Sequence, residues 1–116
     1  MINNKFQSYL NQISFNPDFY LELAKMLAKY YGYDEDKLTF SNKDKFKLNY
    51  DGVHFGSSKN NDFLIYNWLY KHNCITKEQM LKHRERYLKR ATKIKGQWKT
   101  NDKSKNNLAI KILWAG

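Results

Sequence analysis

The sequence predicts an α+β fold: a mostly helical single domain with a small antiparallel β-hairpin. Apolar residues recur at helical spacing along most of the chain, and one Asp-Gly pair lies between two short segments of alternating character. A length of 116 residues, 41% of them hydrophobic, suffices for one compact core and not for two. Residues 1–116 are therefore one unit, with an N-terminal helical region at 1–32, the hairpin at 45–56 and a helical basic region at 61–116. Aromatic residues make up 16%, which separates this chain from disordered basic proteins poor in such side chains.

The first element is a short helix over Lys5 to Ile13, where Phe6, Tyr9, Leu10 and Ile13 share a side. Asn16 then caps a second helix whose Pro17 occupies a position that needs no N–H, and Gly32 ends it. Its large apolar residues, Phe19, Leu23, Met26, Leu27 and Tyr30, form one broad side that is expected to pack into the core. After the acidic turn at residues 33–37, FKLNY and VHF flank Asp51-Gly52, a pairing that favours a two-residue hairpin turn. Phe46, Leu48 and Tyr50 fall on one face of the first strand, and Lys47 and Asn49 on the other.

A third helix starts at Asn61 or Asp62 and is apolar around most of its circumference, so it is expected to be central, with Asn67 and Lys71 marking its solvent side. Thr76 and Gln79 form a capping box that opens the longest helix, about residues 77 to 95, ended by Gly96. Met80, Tyr87, Ala91 and Ile94 make its apolar arc, flanked by Leu88. Arg84 falls near that arc and is expected to snorkel, stack on a ring or pair with a carboxylate. The last segment, residues 108–114, reads as a strand by alternation or as a short helix capped by Ser104. The helix is preferred, and in either form the segment docks on the core.

Charge is the principal functional signal. Residues 1–58 carry seven Lys and seven acids, whereas residues 59–116 carry fourteen Lys or Arg against four acids and so hold the entire net charge of +10. Lys82, Arg86, Lys89, Arg90 and Lys93 lie on the outer side of the long helix, and Lys95, Lys99, Lys103 and Lys105 continue the positive stretch. Such a concentration attracts a polyanion at one surface, with phosphate contacts that release counterions. Arg86 and Arg90, four residues apart, are spaced to clamp successive phosphates through their guanidinium forks. Trp98, between Lys95 and Lys99, is either a core residue or a platform for a base, and Tyr87 is expected to be buried with its hydroxyl at the edge.

Other chemistries find less support. The stretch from Gly52 to Gly56 lacks phosphate-loop spacing, so its glycines are assigned to the hairpin turn and strand exit, and Ser57 and Ser58 are weaker phosphate candidates. His54, His72, His83 and Cys74 are dispersed, without the spacing of a zinc site or a helical zinc protease. Asp51, Asp62, Glu78 and Glu85, with His54 as base, are the acids a magnesium nuclease would have to use. A single cysteine allows no internal disulfide, and neither a signal peptide nor a membrane span is discernible, so an intracellular setting is the expectation.

The segments GVHFGSSKNNDF and HRERYLKRATKIKGQW resemble those of a family of small uncharacterised proteins encoded by large DNA viruses and some phages. The corresponding residues are His54, Phe55, Gly56, Asp62 and Phe63, then Arg86, Tyr87, Leu88, Lys89 and Arg90, with Ala91 standing where that family often has histidine. The resemblance covers about residues 45–114 and implies a viral or phage origin, with action in the host cytoplasm or in the virion. Together these readings predict a non-catalytic protein without metal or cofactor that binds DNA or RNA through backbone phosphates. The alternative is a virion structural or assembly protein that sets the same basic face against an acidic subunit; a metal-dependent nuclease ranks third.

Overall fold

The computed structural model describes residues 2–93 and 103–114. It is α+β and mostly helical, as the sequence predicts. Helix α1 spans Asn4–Gln12 and buries Phe6 and Leu10. The side chain of Asn3 caps it by accepting from the Phe6 N–H at 2.8 Å, while its amide donates to the Phe46 carbonyl at 3.0 Å. One buried asparagine thus both starts α1 and ties it to the sheet.

Helix α2, Pro17–Tyr30, has Asn16 as its cap, with Oδ1 accepting from Asp18 and Phe19 N–H groups. The side it buries corrects the expectation. Tyr20, Ala24 and Ala28 are fully buried, whereas Phe19 is 45% exposed, Met26 65% and Tyr30 80%, with Leu23 and Leu27 half-buried. The apolar arc of α2 is wider than the face that packs, and the two alanines let neighbouring segments approach the helix axis closely, so the larger side chains are left at the flank.

The hairpin forms as predicted, from β2 (Phe46–Tyr50) and β3 (Val53–Ser57). Asp51 and Gly52 between them adopt φ of 48° and 91°, both positive as a tight hairpin turn demands. A further strand, β1 (Leu38–Phe40), adds to β2 with Leu38 opposite Tyr50 and Phe40 opposite Leu48, making a three-stranded antiparallel sheet ordered β1-β2-β3. Three residues are too few to show alternation, which is why the sequence reading stops at two strands. Ser41, just beyond β1, hydrogen-bonds through Oγ to His54 Nδ1 at 2.7 Å. Desolvation holds that imidazole below its ordinary pKa, with Lys43 and Lys105 adding to the effect.

Lys47 is the second correction. Alternation puts it opposite the Leu48 face, yet it is buried, because the C-terminal segment covers that side of the sheet. Gly56, inside β3 rather than at its exit, marks the contact. A Cβ there would lie 2.7 Å from Leu113 Cδ1, and its φ is 78°.

Asp62 caps α3 (Phe63–Lys71), its Oδ1 accepting from the Ile65 N–H at 2.9 Å. The first turn, Phe63 to Ile65, is buried; Asn67 and the rest of α3 up to Tyr70 are half-buried, and Lys71 is exposed. Trp68 stacks on Phe15 with centroids 4.4 Å apart and donates from Nε1 to the Ile13 carbonyl at 2.9 Å, fastening α3 to the α1–α2 turn. The capping box opens α4 as predicted, with Thr76 and Gln79 each accepting from the other's backbone N–H, but the helix spans Lys77–Ala91 and stops short of residue 95. Thr92 closes it, its hydroxyl donating to the Leu88 carbonyl at 2.7 Å. Ile94, Lys95, Gly96, Trp98 and Lys99 lie outside the described residues.

Ser104 caps the C-terminal segment, which begins as the single turn α5 (Lys105–Leu108) and continues as a π-helical stretch, Ala109–Trp114. Leu108, Ile112 and Leu113 are fully buried, so this segment belongs to the middle of the core, against α2, α3, α4 and β3. Each such side chain contributes about 1.5–3 kcal/mol by leaving water. Replacing Gly56 by Ala combines a positive φ with a collision at Leu113, and is expected to destabilise the fold by about 2 kcal/mol or more, read as a lower urea midpoint at unchanged slope.

Candidate nucleic-acid interface

Helix α4 buries Met80 and Ala91, and half-buries Tyr87 and Leu88, so that Lys82, Arg86, Lys89 and Arg90 are exposed on its other side. Lys93 is exposed in the turn that follows. Arg84, near the apolar arc, takes one of its expected roles by holding its guanidinium 4.8 Å from the centre of the Phe63 ring. The exposed cations are not equivalent. Lys82 pairs with Glu78 at 3.4 Å in water, a contact worth a few tenths of a kcal/mol. Lys89 borders a shallow depression with Glu85, on one flank of the helix. Arg86 and Arg90 line a deeper cleft on the other flank, and neither is ion-paired with a described residue.

This cleft has a volume of about 860 Å³. Arg86 and Arg90 of α4 form one wall, Lys59 and Ser57 come from the connection between β3 and α3, and the C-terminal segment contributes Trp114. Two cofacial ring pairs join the elements around it. Tyr66 of α3 stacks on His83 of α4 with centroids 4.2 Å apart and planes within 4°, and Tyr87 stacks on Trp114 at 4.1 Å and 6°. Burial raises the phenol pKa of both Tyr66 and Tyr87 above the ordinary value of 10.0, outweighing the opposing effects of an Asn61 hydrogen bond and of the Arg90 charge. Both rings therefore stay neutral in the physiological range and add no negative charge to the cleft.

At the floor, Lys47 Nζ lies 3.0 Å from Asp62 Oδ2, both side chains 2% exposed, and also donates to the Asn60 carbonyl. Tyr20 donates its hydroxyl to the same Asp62 oxygen at 2.5 Å. Burial raises the Tyr20 pKa well above 10.0, and the Asp62 charge and hydrogen bond act in the same direction. Among the described lining residues Asp62 is the one carboxylate, and Lys47 neutralises it, so Lys59, Arg86 and Arg90 leave the cleft positive.

Of the residues expected to contact phosphate, then, the structure brings Arg86 and Arg90 into a concave site, leaves Lys82, Lys89 and Lys93 exposed outside it, and does not describe Lys95, Trp98 and Lys99. The two segments that carry the family resemblance meet here, since Gly56 and Asp62 of the first and Arg86, Tyr87 and Arg90 of the second line one cleft. Lys47, Lys59, Tyr66, His83 and Trp114 are site residues that the sequence reading misses. Only the charge of Lys59 beside Asn60 and Asn61 gives a local signal; the others reach the cleft through packing.

The acids a nuclease would need are not gathered. Asp62 is sealed against Lys47, Asp51 is in the hairpin turn, Glu78 pairs with Lys82 and Glu85 borders the opposite flank of α4. Among the described residues no three His, Cys, Asp or Glu side chains are grouped to hold a metal ion, and no helix is long and apolar enough to cross a membrane. Comparison of the chain with protein families, curated proteins and solved structures finds no match.

The Lys47–Asp62 pair generates a stability test. Lys47→Met leaves a buried carboxylate without its cation and is expected to cost about 3–5 kcal/mol, as is Asp62→Asn through the stranded ammonium. Lys47→Met with Asp62→Asn should cost clearly less than the sum of the two single changes in urea unfolding.

Proposed function

We propose that this protein binds nucleic acid through its backbone phosphates and performs no catalysis. The observation that carries this reading is the placement of Arg86 and Arg90 on the wall of a positive cleft whose single described carboxylate is already neutralised. Guanidinium groups four residues apart on α4, with no described carboxylate to consume them, are free to form bidentate bonds to phosphate oxygens. Lys82, Lys89 and Lys93 supply further positive potential that draws the polyanion in. Phosphate contacts of this kind do not separate DNA from RNA. The resemblance to small viral and phage proteins adds a viral or phage coding origin to the proposal, with the host cytoplasm as the place of action.

Titration of labelled single-stranded DNA and RNA at several salt concentrations tests it. Affinity is expected to fall steeply with salt, and Arg86→Gln with Arg90→Gln should make the negative slope of log K against log salt shallower by about 1.4, at roughly 0.7 per contact. Salt-independent binding, or a slope unchanged in that variant, would overturn the reading.

A second reading, a virion structural or assembly protein whose basic face meets an acidic subunit, is favoured by the exposure of Phe19, Met26 and Tyr30 on α2. Large apolar side chains in water at one helix flank are what intersubunit contacts cover. Mass spectrometry of purified particles is expected to find the chain at stoichiometric abundance under this reading, and its absence from particles would remove it.

A further inference from the structure

We infer that the cleft between α3, α4 and the C-terminal segment is a pocket for one unstacked nucleotide, so that the nucleic acid taken by this protein is single-stranded. The inference rests on the nucleic-acid reading and narrows it from phosphate attraction to a defined substrate class. Size comes first: about 860 Å³ lies within the range of pockets that take a small molecule, which is room enough for one nucleotide.

Chemistry points the same way. A duplex hides the faces of its bases, so aromatic side chains in a concave site can stack only on a base that has left the duplex. Here four rings from three elements line the cleft: Tyr66, His83, Tyr87 and Trp114. They are mutually ordered, because the Tyr66–His83 and Tyr87–Trp114 pairs are each nearly parallel and Tyr66 also lies 6.1 Å from Trp114. A platform fixed before binding loses little rotamer freedom when a base docks on it. Tyr66, His83 and Tyr87 remain partly exposed, so the ring cluster is not sealed within the core.

Electrostatics orient the ligand. At the floor the Lys47 ammonium is consumed by Asp62 and the Asn60 carbonyl, leaving a locally neutral, polar surface. Among the described lining residues, the cations without a carboxylate partner are Lys59, Arg86 and Arg90. A phosphate is therefore held by the arginines, and the base, which is neutral, turns toward the rings. The Tyr66 and Tyr87 hydroxyls are protonated at physiological pH, as phenols are, and serve as hydrogen-bond donors for base or sugar acceptors. A plain polyanion would need the cations and not the rings, whereas a neutral aromatic ligand would need the rings and not the cations. A nucleotide uses both.

The test compares three probes of equal length at one salt concentration by fluorescence anisotropy: oligothymidylate, the same backbone with every base removed, and a blunt duplex. The base-bearing single strand is expected to bind about fivefold to a hundredfold more tightly than the abasic strand, the range set by stacking of one base. It should also bind more tightly than the duplex. Tyr66→Leu, checked for folding by circular dichroism, should narrow the preference for bases while leaving the salt slope unchanged. Because the strand comparison needs no variant, unfolding of this one leaves the test intact. Equal affinity for abasic and base-bearing strands, or a duplex bound as tightly as the single strand, would overturn the pocket and leave phosphate binding standing. Failure of every probe to bind would overturn both.

Discussion

Asp62 takes part in three bonds at once, and the rest of the structure is arranged around it. One carboxylate oxygen accepts from the Ile65 N–H in the first turn of α3, while the other meets the Lys47 ammonium of β2 and the Tyr20 hydroxyl of α2. Three elements distant in sequence are thereby fixed to one point with almost no access to water. A charge in such a position is tolerated only when it is paired and both oxygens are hydrogen-bonded, a condition that the Ile65 N–H, the fully buried Tyr20 phenol and the Lys47 ammonium meet together. Replacing a buried ion pair with apolar side chains of similar volume is often neutral in energy, yet it would not fix the direction of α3 relative to the sheet, which three directional bonds do.

The same constraint shapes the cleft. Because Lys47 and Asp62 cancel at the floor, the potential is set by side chains on the walls, above all Arg86 and Arg90. Their position depends in turn on the roll of α4 about its axis, which Met80 and Ala91 fix from the buried side and the Tyr87–Trp114 stack fixes at the edge. A screened surface pair such as Lys82–Glu78 has no comparable authority over the fold, since its energy in water is a small fraction of one buried aromatic contact. Packing thus decides which of the α4 cations face a concave surface, although all of them are equally charged.

Much of the local structure is legible in the chain because it depends on neighbouring residues. Asn16 with Pro17, Thr76 with Gln79, Ser104, and Asp51-Gly52 each act within four residues of themselves, and each forms the cap or turn expected of it. Legibility fails where two faces compete. On α2 the large apolar stripe and the Tyr20-Ala24-Ala28 face are both plausible, and close approach of the C-terminal segment selects the smaller residues. On β2 the alternation that marks Lys47 as polar is correct about its chemistry and silent about its burial, because the partner that makes burial tolerable lies fifteen positions further on. The end of α4 is misplaced because helical spacing continues past Thr92, whereas the helix ends at Ala91 with Thr92 as its C-cap.

Composition and short-range pattern by themselves determined that this is one mostly helical α+β domain, that its charge is gathered in the second half, and that Arg86 and Arg90 share a side of one helix. These are properties of spacing along the chain, and spacing is local. Only the tertiary structure decided that those arginines border a cleft, that Tyr66, His83, Tyr87 and Trp114 gather beside them, and that a lysine and an aspartate close its floor. Each of those outcomes joins residues from separate elements, and their meeting is set by which faces the core can bury together.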